Sequence, residues 1–363
     1  MKRGLWRNFD FLLFGSALFL SIFGVIMIRS AIAGNEILAI SVSRQAIFVT
    51  AGVALMIMVS IIDYHFWGSI SRLMYIIAVV ALAYILIVGT ARFGSARWFD
   101  TGVILIQPSE IAKILMIIVL ADYFARNKGD PNDLRWILRS LLLTLGVVIW
   151  ILLQPNLSTS IVIFVIWISL VWICGLPVRY VVIFALIGIL LFSVAFPFLQ
   201  PYQQARILNF LFPNPAARQG NDYNVQQALI TIGTGGWFGE GYGHGTQVQL
   251  RFLKVRHTDF IFSAMAEEFG FVGTVVIIGL LLMVIIRSLK VAREAGDLFG
   301  SLIAYSYAVM ILFQAAVNIG VNLNVMPVSG LPLPFLSYGG SSLLSSILGV
   351  GLVESVAMRK SII

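Results

Sequence analysis

The chain has 363 residues, of which 60% are hydrophobic and 11% charged, with a mean hydropathy of +0.97. That balance excludes a soluble domain with one large core and reads as a polytopic membrane protein. The net charge of +8 needs no nucleic-acid partner, because a cytoplasmic excess of Lys and Arg beside anionic headgroups accounts for most of it.

The chain opens on Lys2, Arg3 and Arg7, followed by the apolar run from Phe9 to Ile28 and then Ala31-Ile-Ala33. The run is too long for the apolar core of a cleaved signal, so an uncleaved anchor is expected. Apolar runs then recur at 10–31, 44–62, 69–89, 107–125, 136–153, 158–174, 179–198, 261–287, 298–319 and 338–358. These are too long for barrel strands, and only helices otherwise satisfy their backbone in lipid, so the expected fold is all-α with about ten transmembrane helices. No internal repeat or soluble domain interrupts it, and 1–363 reads as a single transmembrane domain with one long loop over about 199–260.

Charge sets the expected orientation. With the N-terminus inside, the cytoplasmic side carries Lys2, Arg3, Arg7, Arg72, Arg126, Lys128, Arg135, Arg139, Arg179, Arg287, Lys290, Arg293, Arg359 and Lys360, whereas the short outer loops carry Arg29, Arg44, Arg92 and Arg97. Both termini are then cytoplasmic and the long loop faces outward. The lone Cys174 permits no disulfide within the chain, and His65, His244 and His257 lack metal-ligand spacing, so no dedicated metal site is expected.

Polar residues gather on the outer side in four places. Gln107-Pro108-Ser109-Glu110-Ile-Ala-Lys113 opens the fourth span, with Pro108 in the first helical turn where its missing N–H does no harm. Glu110 and Lys113 share a helix face below the surface, either as a mutual ion pair ordering the bundle or as a pair facing substrate. Gln154-Pro155-Asn156-Leu157-Ser158-Thr159 makes a tight turn between the fifth and sixth spans. The run Gly233–Gly245 lacks the strand and βαβ setting of a dinucleotide loop. It reads either as backbone lying close to a sugar or phosphate, with Trp237 and Tyr242 stacking, or as a flexible interfacial loop with aromatic anchors.

Asp259 opens the eighth span beside Phe260-Ile261-Phe262, where partial desolvation would raise its pKa towards that of a useful base. Arg251, Lys254 and Arg256 oppose that shift and suit a pyrophosphate leaving group. The plainer alternative is that Thr258 or Asp259 simply caps the helix. Glu267 and Glu268 read as structural, as does Glu354, and Gln314 with Asn318 as interhelical hydrogen-bonders. Met326 to Ser342 leads into the tenth span, completing the convergence.

Taken together, Gln107–Lys113, Gln154-Pro155, Gly241-Tyr-Gly-His-Gly-Thr-Gln247, His257-Thr-Asp-Phe-Ile-Phe262 with Glu267-Glu268-Phe-Gly270, and Pro332-Leu-Pro-Phe-Leu-Ser-Tyr-Gly-Gly-Ser-Ser342 resemble the SEDS proteins, the RodA/FtsW/SpoVE group of cell shape, division and sporulation. The likeness runs over almost the whole chain. The short N-terminus, Leu331–Pro334 and the end after the last span favour the elongation branch, RodA.

The resemblance implies a peptidoglycan glycosyltransferase in the cytoplasmic membrane of a bacterium. Such an enzyme polymerises lipid II, the undecaprenyl-pyrophosphate-linked disaccharide-pentapeptide, on the outer face. It implies Asp259 as the catalytic carboxylate and Glu110 and Lys113 near the central cavity; with them Arg251, Lys254, Arg256, His257, Ser337 and Tyr338 are expected to be substrate-binding residues. It further implies a class B penicillin-binding protein (a transpeptidase) and other elongation-complex membrane proteins as partners. No particular cofactor is implied, and a divalent cation, Mg or Mn, is left open.

Two positions depart from the family pattern. Asn156 and Ser158 stand where relatives usually have Asp and Gly, which puts in doubt any role needing negative charge at that turn. Lys254-Val255 replaces the common Pro-Glu, so the field around Asp259 is expected to be more positive and its pKa lower. A lipid II flippase is the rival reading and would need ionisable residues at mid-depth, whereas the polar motifs here cluster on one side. A scaffold that recruits the transpeptidase is the third.

Overall fold

The computed structural model describes residues 5–34, 36–88, 90–92, 95–100, 105–127, 134–213 and 220–360. Lys2, Arg3 and Lys128, counted above towards the orientation, lie outside them. The expected spans appear as α1 (Phe11–Ala31), α2 (Glu36–Ile61), α4 (Ser71–Val88), α5 (Pro108–Asn127), α6 (Leu134–Leu153), α7 (Leu157–Ile173), α8 (Val178–Ala195), α12 (Ile261–Glu294), α13 (Leu298–Asn322) and α14 (Gly340–Met358). A short α3 (Tyr64–Ser69) links α2 to α4. Seven of these helices are long and apolar enough to cross a membrane, and two shorter apolar ones, Ser71–Ile87 and Leu157–Ile173, add to them. The tenth, α5, carries Glu110, Lys113, Asp122 and Arg126, which dilute its hydropathy.

The long loop is not a loop throughout. It contains α9 (Pro201–Leu211), α10 (Gly220–Thr234) and the single turn α11 (Thr246–Gln249). The connection between α4 and α5 holds a small antiparallel sheet, β1 (Thr90–Arg92), β2 (Ser95–Asp100) and β3 (Leu105–Ile106), in the order β1-β2-β3, which hydropathy does not anticipate.

The bundle centre forms where α14 packs on α2, α12 on α13 and α1, and α5 on α4 and α13. Trp167, Tyr307, Phe124 and Phe335 are among its largest fully buried side chains. At the end of the bundle where α1 starts, Asp10 caps α1 by accepting the Leu13 N–H at 3.1 Å. Its carboxylate also pairs with Arg287 of α12, with N–O distances of 2.8 and 3.0 Å from Nε. The Asp10 N–H in turn donates to Glu354 of α14 at 3.0 Å, so Glu354 plays a structural part.

α12 differs most from its sequence reading. Its 34 residues are interrupted at Gly270, where φ is 68° and ψ is −166°, so a short half-helix from Ile261 precedes the longer one. A break inside a span exposes backbone groups that lipid cannot satisfy. The glycine-rich segment answers them: Glu240 N–H donates to Glu267 O (2.9 Å), Gly241 N–H to Glu268 O (3.0 Å), Phe271 N–H to Gly236 O (2.9 Å) and Val272 N–H to Trp237 O (3.1 Å). The two backbones touch, and a Cβ on Gly239 would lie 2.3 Å from Glu268 O at a φ of +81°. Gly235, Gly239 and Gly245 are therefore needed for packing against a broken helix. The aromatic anchors are visible too, since Trp237 and Phe238 stay exposed.

Gly239→Ala combines a backbone clash with left-handed strain, and is expected to cost about 2–4 kcal/mol of stability. Thermal unfolding of the detergent-solubilised variant measures it.

Candidate active site

The site lies at the end of the bundle where α1 and α13 finish and α5, α7, α12 and α14 begin. Asp259 directly precedes α12, whose N-cap is Phe260 with no side-chain capping bond. The capping alternative for Asp259 or Thr258 is therefore not what the fold uses. Asn322 does that work from α13: its Oδ1 accepts from Ser263 N–H (3.1 Å) and Oγ–H (2.7 Å).

The same Asn322 amide donates to the Asp259 main-chain carbonyl at 3.0 Å. Asn318, one turn earlier, donates to that carbonyl at 3.1 Å and to Leu331 O at 2.8 Å. Asp259 is thus clamped by its backbone, while its half-buried carboxylate accepts no hydrogen bond from a described residue. Both acceptors of Asn318 lie in the segments before α12 and α14, so it ties α13 to those segments rather than making the helix-to-helix bond expected of it. Gln314, a turn deeper, is buried with both amide atoms unpartnered among the described residues.

The segment before α14 closes the other side. Ser337 Oγ–H donates to Thr258 O at 2.7 Å, and Tyr338 N–H donates to His257 O at 2.9 Å. The His257 and Tyr338 rings lie 5.8 Å apart. Gln45 of α2 holds the turn, donating to Ser337 O and accepting from Gly339 N–H, both at 3.3 Å.

The remaining motifs join through the same network. Gln107 N–H donates to Ser341 Oγ at 2.9 Å, and Asn156 Nδ2 donates to Ser109 Oγ at 3.3 Å. Asn156 also caps α7 by accepting from Thr159 N–H at 3.3 Å, a role that asks for no negative charge. Glu110 and Lys113 form a fully buried ion pair at 2.8 Å.

The basic cluster behaves differently from its sequence reading. The Arg256 guanidinium is buried and donates to Ala31 O and to Leu253 O, closing the C-terminus of α1, where a cation is favoured. Arg251 donates to Gly34 O, and Lys254 lies over the Tyr223 ring at 5.4 Å. With these three turned to other partners, Asp259 is not driven to a lower pKa as the sequence implied. Burial pushes its carboxyl above the ordinary value, and Arg206 alone pulls the other way. His257 is held below its ordinary value by burial and by Arg256, and so is neutral at neutral pH.

Glu267 accepts from Gln247 N–H (2.7 Å) and Val248 N–H (3.1 Å) at the start of α11, and Glu268 accepts from Ser30. Both carry structure, as their positions suggested. Among the described residues no three His, Cys, Asp or Glu side chains group around a point that would hold a metal. Asp259 as a lone carboxylate is a poor resident site for Mg or Mn, which take several oxygen ligands.

Sequence reasoning missed Asn322, Gln45 and Arg206. Asn322 had a signal, continuing the four-residue polar spacing of Gln314 and Asn318. Gln45 and Arg206 had none beyond their polarity.

Fold and site together define a helical membrane protein with a clamped, uncapped carboxylate at one end of its bundle. The chain belongs to the FtsW/RodA/SpoVE family of cell cycle proteins, whose model matches residues 10–362. It is 30% identical to the peptidoglycan glycosyltransferase RodA of Treponema pallidum (strain Nichols), over 97% of this chain and 98% of that one. It is 33% identical to the peptidoglycan glycosyltransferase MrdB of Escherichia coli (strain K12), over 87% and 85%. Stage V sporulation protein E of Bacillus subtilis (strain 168) is 35% identical over 86% of each chain.

Among solved structures, a chain from a study of polymerization and crosslinking by a peptidoglycan synthase complex superposes with a TM-score of 0.82, at 32% identity over 98% of this chain and 99% of that one. The RodA protein of Thermus thermophilus, solved also as an aspartate-to-alanine mutant, gives a TM-score of 0.73 at 30% identity, over 98% of this chain (97% for the mutant) and 98% of that one.

Arg256→Gln uncovers the Ala31 carbonyl and is expected to lower stability by about 1–3 kcal/mol, read as a lower thermal midpoint. A side chain serving substrate alone would leave that midpoint unchanged.

Proposed function

We propose that this protein is a peptidoglycan glycosyltransferase that polymerises lipid II into β-1,4 glycan strands and releases undecaprenyl pyrophosphate, serving cell elongation and shape. The observation that carries the reading is the Asp259 carboxylate: half-buried, free of capping, and clamped through its own backbone at the end of the bundle where the polar motifs gather.

In this reading Asp259 takes the proton from the 4-hydroxyl of the acceptor's N-acetylglucosamine. The freed oxygen attacks C1 of the donor's N-acetylmuramic acid, inverting that carbon as the pyrophosphate departs. General-base assistance supplies about 10²–10⁴-fold, so positioning and charge stabilisation supply the remainder. A neutral His257 beside Tyr338 suits hydrogen bonding to a sugar, with Ser337 holding the turn beneath. The Glu110–Lys113 pair lies buried in the first turns of α5 at the same end of the bundle.

The active end faces outward and both termini face the cytoplasm of a bacterium, as the distribution of Lys and Arg supports. A class B penicillin-binding protein crosslinks the product and, with other elongation-complex membrane proteins, completes the machinery.

Purified protein with its transpeptidase partner, given labelled lipid II and moenomycin to silence unrelated polymerases, is expected to give glycan ladders that Asp259→Ala abolishes. Unchanged ladders in that variant would remove Asp259 as the base. Movement of lipid II between leaflets without polymer would make the protein a flippase. The base works ionised, so turnover falls as pH drops through the Asp259 pKa. Because burial raises that pKa, the acid limb of kcat/KM is expected above the ~4 of an ordinary aspartate.

A further inference from the structure

The end of the bundle opposite Asp259, which the orientation proposed above places in the cytoplasm, holds a histidine that none of the preceding chemistry uses. His65 lies in α3, the six-residue helix joining α2 to α4. Asp63 caps that helix, accepting the His65 N–H at 2.9 Å. Asp297 caps α13 in the same way, its Oδ1 accepting from Gly300 N–H at 2.7 Å. The His65 ring bridges the two caps, with Nδ1 2.8 Å from Asp63 Oδ1 and Nε2 2.6 Å from Asp297 Oδ2. Tyr64, which is buried, donates its hydroxyl to the same Asp297 oxygen at 2.8 Å. Its ring stacks on the imidazole with centroids 4.1 Å apart.

Counting donors gives the protonation state. An ionised carboxylate only accepts hydrogen bonds, and a neutral imidazole carries a single N–H. Short contacts from both ring nitrogens to two different carboxylates therefore call for the imidazolium, which donates from each. The surrounding charge agrees. Arg359, the C-cap of α14, meets Asp63 through its other oxygen at 3.4 Å while donating to Ser60 O and Ser355 O at 3.1 and 2.9 Å. It offsets one of the two carboxylates, and a charged His65 offsets the second. Asp122 and Arg126 pair with each other near the far end of α3, where Arg126 also donates to Gly68 O. Burial lowers the pKa of the His65 ring, but the hydrogen bonds and charges of Asp63 and Asp297 outweigh it, so the ring stands above its ordinary value.

We propose that His65 is a pH-sensitive latch: its imidazolium holds α3 against the start of α13, and loss of one ring proton releases one of the two carboxylates and loosens that contact. The side chain is 59% exposed, so protons of the adjoining solution reach it. An exposed ion pair alone is worth little, but here one ring joins two helix caps and a buried tyrosine. The helix it anchors is the one whose other end clamps Asp259 through Asn318 and Asn322. Because the folded-state pKa is raised, the latch contributes fully below the ordinary histidine pKa, and its contribution is lost as pH rises through the raised value.

The test follows the His65 ring by NMR in the detergent-solubilised full chain, which has three histidines, with His65→Gln identifying its signal. Its titration midpoint is expected above the ~6.5 of an ordinary histidine. It is expected to fall in Asp297→Asn, a variant that keeps the α13 cap because Asn caps about as well as Asp. As pH passes the midpoint, hydrogen exchange in α3 and the first turn of α13 is expected to quicken relative to intrinsic rates, and the thermal midpoint to drop. His65→Gln is expected to show neither change over that range. A titration midpoint at or below ~6.5, or one that Asp297→Asn leaves unmoved, would overturn the latch. So would the expected titration with exchange and thermal midpoint indifferent to it, which would reduce the contact to a surface ion pair.

Discussion

The structure depends on the pairing between the interrupted α12 and the glycine-rich segment before it. A transmembrane helix is closed to side chemistry because its backbone is saturated. Breaking it at Gly270 leaves backbone donors and acceptors that must find partners within the protein. The segment 235–241 supplies them through four main-chain hydrogen bonds, and it can approach only where no Cβ intervenes. That contact ties the long segment to the bundle and orients the half-helix beginning at Ile261, and with it Asp259. The glycines act on the site at a remove, by making the break tolerable.

Around Asp259 the polar groups fall into two kinds. Asn318, Asn322, Gln45, Ser337 and Ser341 spend their hydrogen bonds on backbone or on one another, which makes a rigid frame of buried polar groups that would be costly unsatisfied. The Asp259 carboxylate is the exception. Holding its carbonyl and leaving its side chain free is how a fold can fix a reactive group without neutralising it. Glu110 and Lys113 solve the burial of charge differently, by mutual pairing one turn inside α5.

The cations around the site show how poorly local charge counts report local field. Arg251 and Arg256 lie close to Asp259 in sequence, yet they close the end of α1. Arg206, more than fifty residues away, is the cation whose charge opposes the upward shift that burial imposes on Asp259. At the other end of the bundle, Arg287 is spent in the same way on Asp10, so basic residues at both ends join helices.

The amino-acid sequence by itself determined the number and placement of the spans, because the apolar runs and the backbone's need for internal hydrogen bonds leave no other solution. It also determined the gathering of Gln107–Lys113, Gln154–Thr159, Asp259 and Met326–Ser342 at one end, since chain reversal at each span places them there. Only the tertiary structure decided what each polar residue does. The break at Gly270 is strained backbone that hydropathy does not register, and the sheet between α4 and α5 is too short to leave a pattern. The partners of Arg256, Arg206 and Asn322 depend on contacts between helices distant in the chain. The direction of the Asp259 shift likewise depends on which cations turn towards it, and that is a property of packing.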